Sequence, residues 1–201
     1  GAGQGRKSLI AELVAGLCLF AELADDNALR SALGALPTLL KRAAAVDWSA
    51  ALGALRDADR LFVIGRGAGL AVAAEMALKF KEVCGIEAEA FSGAEVRHGP
   101  QALIDAGYPV LLLAARGPEQ PGLLDLATDL QRRGARVLIA APETARAACP
   151  GATWVNIAAL PDRANDQPIF DTLGAIQSFY LLVEAWARAR GLDPDRPPHL
   201  T

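Results

Sequence analysis

A chain of 201 residues, 52% hydrophobic and 21% charged, is long enough for one full domain with a sizeable core and too ordinary in composition for disorder or a fibrous fold. Its net charge of -3, with no run of Lys or Arg, excludes the basic stripe that nucleic acid would need. Cys18, Cys84 and Cys149 are odd in number and far apart, which suits reduced core thiols in a cytoplasm better than disulfides or a metal site.

Residues 1–57 carry apolar positions at helical spacing in "LIAELVAGLCLFAEL", "ALRSALGALPTLLKRAAA" and "WSAALGALRDA". Three helices packing on the rest of the chain are expected there. Asp47 and Ser49 are candidate caps of the third, and Pro37 marks a kink or the first turn of the second. Glu12 and Glu22 interrupt the first run, which falls short of the roughly 20 apolar residues of a bilayer span. No signal-peptide order precedes it, so a cytoplasmic protein without a membrane partner is expected.

From Arg60 onward, short apolar runs alternate with helical stretches. "RLFVIG" (60–65), "IEAEAF" (86–91), "PVLLLAA" (109–115), "RVLIAA" (136–141) and "TWVNIA" (153–158) are the expected strands, separated by helices over 68–84, 122–134 and 168–191. Strands apolar nearly throughout imply a parallel sheet covered on both faces, a doubly wound α/β domain over 58–201. Ligands of such sheets bind at the carboxyl ends of the strands, here the loops after Gly65, Phe91, Ala115 and Ala141.

Three of these regions hold candidate chemistry. In "VIGRGAGLA", Gly65 and Gly67 flank Arg66 at a strand-to-helix turn, where free backbone N–H groups and a guanidinium suit an anion; a tight turn that merely needs glycine explains the same spacing. On the next helix, Glu75, Lys79 and Glu82 share one face, opposite the apolar Val72, Met76, Phe80 and Val83. They form either a solvated salt-bridge ladder or a carboxylate base, Glu82, held near a cation that tunes it. His98, followed by Gly99-Pro100, is either a turn histidine bonded to backbone or an acid/base suited to opening a sugar ring. No cluster with metal-ligand spacing is present in the sequence, and no cofactor is expected.

The run from Gly65 to Ile104 resembles the second sugar isomerase (SIS) domain in the isomerase half of glutamine–fructose-6-phosphate aminotransferases. The resemblance rests on Gly65-Arg66-Gly67, on Glu75-x-Ala77-Leu78-Lys79-x-Lys81-Glu82, on Ala88-Glu89-Ala90, and on Glu95-x-x-His98-Gly99-Pro100-x-Ala102-Leu103-Ile104. The first helix and the tail from Asp193 are similar as well, so nearly the whole chain is covered, but by one of two expected SIS domains. The resemblance implies a three-layer αβα sandwich on a five-stranded, flavodoxin-like parallel sheet. It implies that Glu82 moves a proton between C1 and C2 of an open-chain sugar, with Lys79 and Arg66 near it, and that His98 assists ring opening in the site of a neighbouring subunit. The implied partners are fructose 6-phosphate or glucosamine 6-phosphate, a second copy in a homodimer, and the missing first SIS domain. A non-catalytic phosphosugar-binding or dimerisation module is the alternative. Two family features are absent: the hydroxyl-rich phosphate loop is replaced by "ARGPEQPG" (115–122), and the family's tail lysine would fall past Thr201.

Overall fold

The computed structural model describes residues 2–161 and 168–197. The end of the tail segment singled out above, 198–201, therefore lies outside the described residues. Three helices come first: α1 (Ala2–Leu23), α2 (Asn27–Ala44) and α3 (Ser49–Leu55). Five strands follow, β1 (Arg60–Gly65), β2 (Glu87–Ser92), β3 (Pro109–Leu113), β4 (Arg136–Ala141) and β5 (Thr153–Asn156), interleaved with α4 (Ala68–Cys84), α5 (Gln120–Arg132) and α6 (Pro168–Ala189). All neighbouring strands pair in parallel, in the order β2-β1-β3-β4-β5. That is the doubly wound arrangement expected from strands apolar nearly throughout.

Burial explains why the strands are apolar on both sides. Side chains alternate across a strand, so Val63, Leu111, Leu138 and Val155 face one core with Met76, Phe80, Phe179 and Trp186 of α4 and α6. Phe62, Ile64, Val110, Leu112 and Ile139 face the other, closed by Leu123, Leu126 and Leu130 of α5. A third cluster joins α1 and α2 to α6 through Leu29, Leu36, Leu39, Phe170 and Leu173. Two polar tethers add direction: Ser178 Oγ donates to the Ala43 carbonyl at 2.7 Å, and Trp48 Nε1 to the Asn156 carbonyl at 2.8 Å. Removing such a buried donor costs about 1 kcal/mol or more.

Several local expectations shift. Pro37 sits inside α2 rather than in its first turn. Asp26 caps α2, its carboxylate accepting from Leu29 N at 2.9 Å. Asp47 accepts from Ser49 N at 2.7 Å as a cap would, although Trp48 is the residue that leads into α3. Strands β3 and β5 end two residues early because Ala114–Ala115 and Ile157–Ala158 already turn out of the sheet, keeping single bonds to the Ala140 and Ala141 carbonyls. Among the described residues, no helix is long and apolar enough to cross a membrane.

The thiols divide differently from the uniform core placement expected. Cys84 and Cys149 are buried, whereas Cys18 is exposed on α1. Burial pushes the Cys84 thiol up to about 12, only weakly opposed by the Arg190 charge. With its folded value raised, the neutral thiol stabilises the fold below the ordinary thiol range, and that contribution is lost as pH rises toward about 12. Thiolate is the reactive form, so a disulfide reagent at pH 8 is expected to label Cys18 promptly and Cys84 only after unfolding. Prompt labelling of Cys84, read by peptide mass spectrometry, would contradict this burial.

Candidate functional site

The α4 helix forms because residues 68–84 place Val72, Met76, Phe80 and Val83 on one buried face, and it stops at Gly85, which takes the left-handed conformation (φ 63°). Its other face carries the acidic and basic residues. Lys79 Nζ lies 2.6 Å from Glu82 Oε2 and 3.8 Å from Glu75 Oε1. The lysine is only 8% exposed, and both carboxylates are partly buried, so this is not a solvated ladder. Tyr180 of α6 donates its hydroxyl to Glu75 Oε1 at 3.2 Å. A buried ammonium must be paired, and here two carboxylates share it. A carboxylate held on one oxygen in this way is of a kind that can exchange a proton through the other.

The glycine loop belongs to a different place. Arg66 and Gly67 lie just before the start of α4, whereas Glu82 is in its last turn, roughly 21 Å further along at 1.5 Å per residue. Arg66 therefore does not join Glu82 within this chain, contrary to the expectation that it would. Its guanidinium instead meets Glu119 of the loop after β3, with Nε 2.6 Å from Oε2. Gly65 answers to packing, since a Cβ there would fall on the Gly69 carbonyl in the first turn of α4, and Gly67 has φ 55°. The simple tight-turn explanation thus accounts for both glycines.

Arg66, Gly67, Leu113, Arg116, Glu119 and Leu123 line a cavity of about 170 Å³ at the carboxyl ends of β1 and β3. This is the point where the strand order reverses and where doubly wound sheets hold ligands. Both arginines are already matched by carboxylates. Arg116 makes a bidentate pair with Asp171 of α6, Nε to Oδ2 at 2.9 Å and Nη2 to Oδ1 at 2.7 Å, and its backbone N–H donates to Oδ2 at 3.0 Å. Asp171 is 1% exposed.

His98 is exposed at the end of a short 3₁₀ turn, Glu95–His98, beyond the carboxyl end of β2. Glu82 precedes the other end of that six-residue strand, so roughly 20 Å of β2 separates their levels. Glu82 and Lys79 are thus brought together, while His98 and Arg66 lie elsewhere on the chain. Among the described residues, no three His, Cys, Asp or Glu converge as a metal site would require. Sequence reasoning missed Tyr180, Glu119, Arg116 and Asp171. The first reads as an apolar helix position, and the pairing of the last two joins residues 55 apart.

Comparison with known proteins agrees with this fold. Residues 54–183 match the SIS domain model. The glutamine–fructose-6-phosphate aminotransferase [isomerizing] of Aeropyrum pernix is 34% identical over 179 residues, which cover 88% of this chain and 28% of that relative. A crystal structure from Silicibacter pomeroyi DSS-3, named as a phosphosugar isomerase, superposes with a TM-score of 0.83 at 38% identity, covering 94% of this chain and 55% of that one. Glucosamine-6-phosphate deaminase from Thermotoga maritima superposes with a TM-score of 0.66 at 25% identity, covering 97% and 55%. The chain thus spans about a quarter of the length of the curated relative and about half of the length of the two structures. A parallel five-stranded sheet with this helix order and a matched model over 54–183 identify the chain as a member of the SIS domain family.

Proposed function

We propose that this chain supplies the proton-transferring half of a phosphosugar isomerase site, in a protein that couples aldose–ketose interconversion to amination or deamination of fructose 6-phosphate or glucosamine 6-phosphate. The observation that carries this reading is the 2.6 Å contact of buried Lys79 with Glu82, inside the segment that resembles the family's isomerase helix. The kinship with aminotransferases and phosphosugar isomerases supports the same substrate class.

In this reading Glu82 takes a proton from C1 of the open-chain ketose. The C–H pair becomes the C1–C2 double bond as the C2 carbonyl or imine pair moves onto its heteroatom, which takes a proton from water. The C1 hydroxyl then returns a proton to water as the C1 carbonyl forms, and Glu82 gives its proton to C2. Positioned acid–base transfer of this kind contributes about 10²–10⁴-fold. Lys79 holds the carboxylate in place and balances its charge. His98, exposed and beyond the opposite end of β2, acts in ring opening within the site of a second copy, which makes a homodimer the working unit. Arg66 and Gly67 act on substrate only at the cavity they line, and only once Glu119 releases the guanidinium, while Gly65 serves the turn behind them. The phosphate is held by the first SIS domain of the same protein, since the loop 115–122 carries no hydroxyl. Residues 1–57 are a helical segment that docks on an SIS domain beginning near residue 58.

Calorimetric titration of the chain with glucosamine 6-phosphate and fructose 6-phosphate tests this. Saturable binding that weakens in His98→Ala and Glu82→Gln is expected wherever the chain binds alone, and an absence of binding places the phosphate grip outside these residues. Binding of undiminished strength in both variants would overturn the assignment of the sugar site.

A further inference from the structure

Tyr180 and Lys79 converge on the same atom, Glu75 Oε1, the tyrosine as a hydrogen-bond donor at 3.2 Å and the ammonium at 3.8 Å. The lysine is displaced from Glu75 toward Glu82, which it meets at 2.6 Å. A phenol 4% exposed and an ammonium 8% exposed compete in a setting where little water can take either place. An oxygen already compensated by a hydroxyl donor attracts a cation less than a bare one does.

We propose that Tyr180 is a positioning residue which, by occupying Glu75, fixes the larger share of the Lys79 charge on Glu82. The proposal rests on the reading of Glu82 as the base and deepens it: the place of the cation beside the proton-transferring carboxylate is set from α6, through a residue whose hydroxyl bonds to Glu75. The charged groups around Lys79 are Glu75, Glu82 and the exposed Lys81 on α4 itself. On β2 it is Ala88 and Ala90 that face α4, while Glu87 and Glu89 point to the other side of the sheet, beside Tyr108. Beyond Tyr180 on α6, Glu184 pairs with Arg188 at 3.1 Å, and past its end Arg190 donates to the Ala58 carbonyl at 3.3 Å.

Two substitutions act on Glu82 with opposite signs. Tyr180→Phe strips the donor from Glu75, which then draws Lys79 away from Glu82, so the proton affinity of Glu82 rises. Glu75→Gln removes the competing charge and leaves Lys79 to Glu82 alone, so that affinity falls. General loosening of the α4–α6 contact would move both variants the same way.

The test is a carbon-detected NMR titration of the side-chain carboxyl of Glu82 in the 201-residue chain. The affinity is expected to rise about threefold in Tyr180→Phe and to fall by a comparable factor in Glu75→Gln. In a Lys79→Met background, Tyr180→Phe should have no further effect. An unchanged Glu82 titration in Tyr180→Phe, or a shift of the same sign in both variants, overturns the proposal. If Tyr180→Phe does not fold, 3-fluorotyrosine at position 180, a stronger hydrogen-bond donor of nearly the same shape, decides instead: the Glu82 affinity is expected to fall, and an unchanged or raised affinity overturns the proposal. Because the readout is the titration and not turnover, these outcomes are distinguishable from failure of the isomerase reading, which a fully active Glu82→Gln would show.

Discussion

Glutamine in place of Glu82 is expected to lower turnover of the sugar phosphate by about 10³-fold in the protein that carries the complete site, with substrate binding changed far less. The amide keeps the shape of the side chain and an acceptor for Lys79, which lies 2.6 Å from Oε2, but it cannot take up a proton at neutral pH. The loss should therefore fall mainly on kcat, with kcat/KM falling only slightly further as binding weakens, because the proton transfer is needed in the transition state. A variant that retained a tenth or more of wild-type turnover would remove Glu82 from proton transfer and leave the binding-module alternative standing. Steady-state kinetics with both sugar phosphates measures this directly.

The largest effect on stability is expected at Asp171. Its carboxylate is 1% exposed and accepts two guanidinium bonds and one backbone N–H from Arg116, joining the loop after β3 to the first turn of α6. Asp171→Ala removes that partner and leaves a partly buried guanidinium without its bidentate carboxylate, which typically costs about 3–5 kcal/mol. For a domain of this size, such a loss lowers the melting temperature by roughly 6–20 °C. Asp171→Asn keeps an acceptor and should lose less. A change of under about 1 kcal/mol in urea unfolding of Asp171→Ala would show that this pair links the two elements without holding them.

The sheet was legible because its central strands β1, β3 and β4 had to be apolar on both faces, and only a doubly wound parallel sheet with helices on both sides asks for that. Runs such as Arg60–Gly65 and Arg136–Ala141 could be placed to the residue, whereas strand ends at Leu113 and Asn156 depended on where the backbone leaves the ladder, which hydrophobicity does not report. At the site, helical spacing correctly put Glu75, Lys79 and Glu82 on one face. It could not show that the face is covered, because the cover comes from Tyr180, about a hundred residues away on α6. The same non-local physics decided Arg66: a guanidinium between glycines looks free in the sequence, and the fold brings Glu119 to it. Pro37 shows the converse, since a local rule against proline in helices yields to the burial of Leu36 and Leu39 on either side of it.

The claim that Glu82 carries the proton is tested most directly by isotope exchange. Fructose 6-phosphate incubated in D₂O with the protein that carries the complete site is expected to gain deuterium at C1, followed by NMR, and Glu82→Gln is expected to abolish that gain. Deuterium entering C1 at the wild-type rate in Glu82→Gln would contradict the assignment of the base.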